Sequence, residues 1–245
     1  MKVDTNSNSY TIIYASVMVI IVAFLLAFVA SSLKDIQDAN VERDTKNQIL
    51  ISLNVDASDV DSQFEQIVED KLFQNGELVA YDGPFNTSYG AELKKGNLHV
   101  FVAKLENGET KYVIPMTGRG LWGGLWGYLA LNEDKQTVYG AYFSHESETA
   151  GLGALIAEKD FQSRFRGKNV YKDNEVALTV VKNGAVKDAS VEVDGVTGAT
   201  LTSNGVAAMV NGGLKLYKDF LGAAVATAEV EEVVEETNEG GNANE

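Results

Sequence analysis

The chain has 245 residues, 45% hydrophobic and 22% charged, which is room for one packed domain with accessory segments. Its formal net charge of −15 falls to −8 when the seven Glu of Glu229–Glu245 are set aside, and an acidic balance of that size excludes a nucleic-acid partner, whose phosphates demand Lys and Arg. No cysteine is present, which rules out disulfides, Cys-ligated iron–sulfur or zinc sites and a thiol nucleophile.

No residue between Asp4 and Lys34 is charged, and Tyr10–Ala30 is dominated by Ile, Val, Ala, Leu and Phe. As a helix this stretch is roughly 32 Å long, enough to cross a bilayer core. A cleaved signal peptide would have a shorter apolar run and a better cleavage site than Ala27-Phe28-Val29-Ala30-Ser31. An uncleaved, single-pass transmembrane anchor over 1–33, in contact with membrane lipid, is therefore expected. Lys2 precedes the span, while Lys34, Arg43 and Lys46 follow it, a count that leans against a cytoplasmic N-terminus. Long C-terminal domains cross regardless of such small biases, so charge leaves the side open.

Residues 34–75 read as a helical stem. Within it Ser58-Asp59-Val60-Asp61 is a helix-start signal, followed at helical spacing by Phe64, Ile67, Val68 and Leu72. From Gly76 the pattern turns to short β-branched or aromatic runs divided by Gly, Asn and Asp. Strands are expected at Leu98–Leu105, Lys111–Met116, Tyr128–Leu131, Thr137–Phe143, Val176–Val181 and Ser190–Val193. Glu158–Arg166 suits a short helix and Thr202–Leu221 a longer one, weakened by Gly205, Gly212 and Gly213. This order predicts an α+β domain over 76–222, with a mostly antiparallel sheet and flanking helices. The stretch 223–245 is expected to be a disordered acidic tail.

The stretch that carries chemistry is Asp194-Gly195-Val196-Thr197-Gly198-Ala199-Thr200-Leu201-Thr202-Ser203. A strand ends at Val193, glycines permit a tight turn, and a helix starts near Thr202. Free backbone N–H groups and the positive end of a helix dipole then surround Thr200, a setting that holds phosphate well. A strand–turn–helix capped by Thr or Ser produces the same local pattern without any ligand. The full string, however, resembles the flavinylation motif of the FMN-binding domain family, Asp-Gly-x-[Ser/Thr]-[Gly/Ser]-Ala-Thr. A chance match in a chain this long is on the order of 10⁻⁴.

The resemblance implies an FMN-binding domain at 76–222, with FMN joined covalently through its phosphate to Thr200 by a separate flavin transferase. Gly198 and Ala199 would let the transferase approach, Thr197 and Ser203 are implied as further cofactor contacts, and Asp194 would help hold metal or shape the turn. His145-Glu146-Ser147-Glu148-Thr149-Ala150-Gly151-Leu152-Gly153 is similar to the Glu-Thr-Pro-Gly-Leu-Gly loop of the same domains, with Ala150 in place of the usual Pro. Glu148, Thr149, Gly151, Leu152 and Gly153 are implied there as contacts to the flavin; taken alone, the loop is also an ordinary polar turn.

Gly118-Arg119-Gly120-Leu121-Trp122-Gly123-Gly124-Leu125-Trp126-Gly127 is glycine-dense, as a close approach of backbone to something flat or crowded requires. Its tryptophans suit a flavin or a partner subunit, and equally core packing. The string resembles the NqrC family, the covalent-flavin subunits of the Na⁺-translocating NADH:quinone oxidoreductases. The FMN-bearing subunit of Rnf-type ferredoxin:NAD⁺ complexes shares the anchor and threonine motif and is the alternative; a non-flavinylated binding module is a third. The quinone-reductase resemblance implies an electron carrier of the cell inner membrane, among partner subunits of the complex, with its soluble domain on the periplasmic side.

Lys182 is a candidate to meet the ring or phosphate, or a solvated turn lysine. His145 serves equally as a hydrogen-bonder or a redox participant. No Ser/His/Asp triad, P-loop or Rossmann fingerprint is present, so the chain itself is not expected to bind NADH or to supply catalytic residues. His99 and His145 lie too far apart in sequence to suggest a metal pair, and no metal site is expected.

Overall fold

The computed structural model describes Ser7–Phe85 and Tyr89–Gly222; the expected tail at 223–245 lies outside the described residues. The chain divides into two units, Met1–Asp44 and Thr45–Glu245. Helix α1, Asn8–Ser52, is the one described helix long and apolar enough to cross a membrane. Over the first unit it exposes an apolar surface that includes Ile12, Ile13, Phe24, Leu26 and Phe28.

The second unit begins with the last two turns of α1, where Ile49 and Leu50 are fully buried, as is Leu53 just beyond the helix. Helix α2, Val60–Ile67, starts where Asp59 accepts the Ser62 N–H at 3.4 Å, as the Ser58–Asp61 signal predicts. Next come β1 (Val68–Gln74), β2 (Glu77–Ala80), α3 (Tyr89–Lys94), β3 (Leu98–Lys104), β4 (Thr110–Arg119), β5 (Gly124–Leu131) and β6 (Val138–His145). These strands form one antiparallel sheet in the order β2-β1-β3-β4-β5-β6. A 3₁₀ turn (Gly153–Ala157), α4 (Lys159–Ser163) and the small pair β7 (Tyr171–Lys172) and β8 (Glu175–Val176) follow. The parallel pair β9 (Thr179–Val181) and β10 (Glu192–Asp194) then leads into α5, Thr200–Leu216.

Side-chain alternation along the central strands gives the sheet two buried faces. Leu98, Val100 and Val102 of β3 join Leu125, Leu129 and Leu131 of β5 in a core shared with α5, including Val206, Met209 and Val210. Phe101, Ala103, Tyr128 and Ala130 point the other way, onto the end of α1 and onto Phe64 of α2. The architecture is the expected α+β fold with a mostly antiparallel sheet.

Two expectations are corrected. The helical stem expected over 34–75 is not one element: 34–44 continue α1 in the first unit, while from Thr45 the chain belongs to the second unit and holds the buried end of α1, α2 and the interior strand β1. A four-residue spacing puts Val68 and Leu72 on one face of a helix, but also on one face of a strand, and the chain takes the strand. The single strand expected at Val176–Val181 is divided. Ala177 and Leu178 both donate to the Val170 carbonyl, which turns Leu178 into the core between β8 and β9.

A soluble fragment starting at Thr45 is accordingly expected to unfold cooperatively, whereas one starting at Gly76 lacks Ile49, Leu50, Leu53 and β1 and should give no cooperative transition. Denaturant melts followed by circular dichroism compare the two directly, and cooperative unfolding of the shorter fragment would refute the assignment.

Candidate functional site

Three segments distant in sequence converge at the start of α5. The first is the tip of the β4–β5 hairpin, Gly120–Gly123, closed by Gly120 N–H donating to Gly123 O at 2.9 Å. The second is the loop after β6, and the third is the β10–α5 connection.

Glu148 joins all three. Its carboxylate accepts the Trp122 N–H at 2.9 Å and the Thr202 hydroxyl at 2.6 Å, and the residue is buried. Burial opposes its charge, but bonds from the Thr202 hydroxyl and the backbone of Trp122, Gly123 and Leu121 outweigh that, leaving its pKa below the ordinary carboxylate value. Successive hairpin-tip N–H groups thus form a small anion nest around a side chain of the protein. Two glycines follow from this approach. A Cβ at Gly120 would stand 2.4 Å from Glu148 Oε1, and one at Gly153 would stand 2.5 Å from Oε2 and 2.6 Å from the Thr202 hydroxyl.

The β10–α5 connection is braced from behind. Val196 N–H donates to Ser203 Oγ at 2.9 Å, and Asn183 Nδ2 donates to Thr197 Oγ1 at 2.6 Å. Asp194 accepts the Gly184 N–H at 2.7 Å, which ties β10 to the turn after β9. Arg164, at the end of α4, donates to the carbonyls of Asp194 at 3.1 Å and Gly195 at 3.4 Å. A Cβ at Gly195 would lie 2.7 Å from the Val181 carbonyl, so only glycine fits between β9 and α5.

Thr200 itself is exposed as the first residue of α5, after a buried Ala199 whose methyl cannot cap the helix. The first-turn N–H groups have no intrahelical acceptor by geometry, and they point with the helix dipole toward the Thr200 end. Gly198, at φ +77°, lies against Leu152, since a Cβ there would be 3.2 Å from Leu152 Cδ2. Around this point Leu121, Trp122, Leu152 and Leu201 are exposed, Trp122 most of all at 66%. An accessible hydroxyl, uncapped helix N–H groups and an apolar rim together fit a molecule with a phosphate at one end and a flat ring at the other.

The remaining sequence candidates divide into exposed and structural positions. Thr149 is exposed, and its carbonyl accepts from Leu152 and Ala154, folding the loop back on itself. Gly151, at φ +74°, makes the bend that a Pro-containing loop would otherwise stiffen. Lys182 is exposed directly after β9, and Gly195 N–H donates to the carbonyl of its neighbour Val181 at 2.8 Å. Ser203 and Glu148 are buried, with hydroxyl and carboxylate already engaged by the protein. His145 Nδ1 accepts the Glu148 N–H at 3.2 Å, which makes it a hydrogen-bonder of the loop. Trp126 packs against the core and donates to Gln48 at 3.0 Å, so the two tryptophans divide between surface and interior. Sequence reasoning missed Thr202, Asn183 and Arg164 as members of the site, because each acts across a separation that spacing does not reveal.

The FMN-binding domain family model matches residues 120–215, the stretch that contains all three convergent segments. The NqrC protein of the Na⁺-translocating NADH-quinone reductase of Haemophilus ducreyi is 33% identical over 229 residues, covering 84% of this chain and 89% of that protein. The chain belongs to the NqrC family. The crystal structure of the Parabacteroides distasonis member superposes with a TM-score of 0.71 at 39% identity, covering 77% of this chain and 96% of that one. The Shewanella oneidensis NqrC shares the fold, with a TM-score of 0.66 at 21% identity over 77% of this chain and 99% of that one. Membership resolves the alternative left open by the threonine motif in favour of NqrC over the Rnf-type subunit.

Glu148→Gln should lower stability by about 1–3 kcal/mol at neutral pH, since an amide cannot satisfy the nest and Thr202 as a carboxylate does. The folded-state pKa of Glu148 lies below its unfolded value, so its contribution is complete above about pH 4.3 and is lost as pH falls through the folded value. The gap between wild type and Glu148→Gln in urea midpoint should therefore close under acid; a gap unchanged from about pH 7 to about pH 3 would contradict the assignment.

Proposed function

We propose that this chain is the electron-carrying NqrC subunit of a Na⁺-translocating NADH:quinone oxidoreductase and holds FMN covalently by a phosphoester on Thr200. The observation that carries the reading is the exposed Thr200 hydroxyl at the uncapped start of α5, within an intact Asp-Gly-Val-Thr-Gly-Ala-Thr string. The relatives are subunits of a NADH-quinone reductase, and the matched domain family binds FMN.

FMN held there would supply electron transfer at its ring system. The chain's own residues provide the setting. First-turn N–H groups of α5 and its dipole favour a phosphate diester on Thr200. Leu152 and Trp122 offer apolar surface to the ring, Gly151 and Gly153 let backbone come close, and Lys182 would offset negative charge there. Glu148, Thr202 and Ser203 would hold the three segments in place, since each is buried and engaged in a hydrogen bond within the protein. A covalent link suits a domain on the periplasmic side of the inner membrane, where a dissociated cofactor is lost. Helix α1 would anchor it in lipid beside the other subunits, and a flavin transferase would load it.

The test is intact mass and in-gel flavin fluorescence after denaturation, on wild type and Thr200→Val, each coexpressed with a flavin transferase. Wild type should fluoresce and be heavier by one phosphoester-linked FMN, and the variant should be dark at its unmodified mass. A dark, unmodified wild type in the presence of an active transferase would replace this reading with that of an anchored binding module.

A further inference from the structure

Strand β10 is paired on one side only, with β9 in a two-stranded sheet. Val181 of β9 takes its bond from the Gly195 N–H, at 2.8 Å, rather than from its register partner Asp194, whose backbone therefore faces the unpaired side. No strand is there to satisfy it. Arg164 supplies what a neighbouring strand would, since its Nη1 donates to the Asp194 carbonyl at 3.1 Å and to the Gly195 carbonyl at 3.4 Å.

The guanidinium is itself held. Its Nη2 pairs with the carboxylate of Asp160, four residues earlier, and the group lies 5.7 Å from the centre of the buried Phe161 ring. A planar fork of donors suits this position, because one nitrogen serves two carbonyls while another serves a carboxylate. Asp160 thus takes up the positive charge, and the Asp194 carboxylate is left to the Gly184 N–H.

The restraint passes on to α5. Gly195 sits against its first turn, where a Cβ would stand 2.9 Å from Ser203 Oγ, and that same hydroxyl accepts the Val196 N–H at 2.9 Å. Guanidinium, Gly195, Ser203 and the turn that begins at Thr200 form one chain of contacts. Its first link is dispensable for the fold. The Arg164 side chain is 34% exposed, so water can take its place on the carbonyls. What goes with Arg164 is direction rather than hydrogen-bonding capacity.

We propose that Arg164 is a positioning residue for the modification of Thr200, fixing the Asp194–Gly195 backbone so that the acceptor hydroxyl is aligned for phosphoryl transfer. This rests on the reading of Thr200 as the flavin acceptor. In that step Thr200 Oγ bonds to the FMN phosphorus of FAD and the pyrophosphate P–O bond breaks. AMP leaves with the bridging oxygen, and the hydroxyl proton passes to a base of the transferase. Attacking and leaving oxygens must lie roughly in line, and a misplacement of about 1 Å costs roughly 100-fold in rate.

The full chain, purified in detergent without flavin, is modified in vitro with FAD, a divalent cation and a purified flavin transferase. Initial rates come from in-gel flavin fluorescence across a range of acceptor concentrations. Arg164→Met keeps an apolar stem over Phe161 but no donor; it should lower kcat about tenfold or more at unchanged KM, with little change in melting temperature. Arg164→Lys should recover part of the rate, because an ammonium can still reach a carbonyl. A wild-type kcat in Arg164→Met, a loss confined to KM, or a loss that vanishes when the assay is cooled well below the melting temperature would each overturn the proposal. Should Arg164→Met fail to fold, Arg164→Lys decides alone: a reduced kcat at wild-type KM supports the role, and a wild-type kcat overturns it. Wild type that stays unmodified removes the acceptor reading and this role with it, whereas modified wild type beside an unimpaired Arg164→Met removes the positioning role alone.

Discussion

The candidate site of the second unit is organised around one largely buried carboxylate. Glu148 is buried, yet its charge is favoured, because hairpin-tip N–H groups and the Thr202 hydroxyl converge on it. A buried charge is tolerable only when such donors are fixed in place, so the requirement runs both ways. The loop after β6, the β4–β5 tip and the first turn of α5 must all arrive together. The glycine density of the β4–β5 region follows from that convergence as much as from any ligand. Gly120 and Gly153 make room for the carboxylate itself.

This arrangement separates what holds the site from what the site presents. Buried polar atoms of Glu148, Thr202 and Ser203 are satisfied by the protein, and Arg164, Asn183 and Asp194 brace the connection into α5. The side chains of Thr200, Leu152 and Trp122 stay outside that network, and all three residues are exposed. A residue that must be modified by another enzyme has to be accessible, while its neighbours must not drift. Bracing from the interior satisfies both conditions. The two-faced sheet supplies the rigid support, with α5 packed along one side and the end of α1 along the other.

Helix α5 links the two ends of the domain. Its start carries Thr200, and its later turns line a cleft together with Pro115. The glycines that weaken it as an isolated helix do different things at different heights. A Cβ at Gly205 would meet the Arg119 carbonyl at 2.5 Å and one at Gly213 would press on Met116, while Gly212 faces open space. One propensity rule therefore covers three different physical situations.

Patterns confined to neighbouring residues are legible in the sequence. The charge-free run before Lys34 marks the membrane-length helix, the Ser58–Asp61 signal marks the start of α2, and alternating β-branched and aromatic residues mark β3 to β6. The threonine motif leads to the family without any coordinates, because a contiguous string of residue types is itself the signal. What the sequence leaves undecided are the features in which one spacing satisfies two geometries, or in which partners lie far apart along the chain. Val68 and Leu72 share a face in a helix and in a strand, and pairing with β3 chose the strand. Glu148 and Thr202 are separated by 54 positions, and His99 and Tyr217 by 118. No local rule couples such residues; they meet only once the sheet is assembled and its two faces are covered, so tertiary packing alone decided which polar groups are spent inside and which remain available.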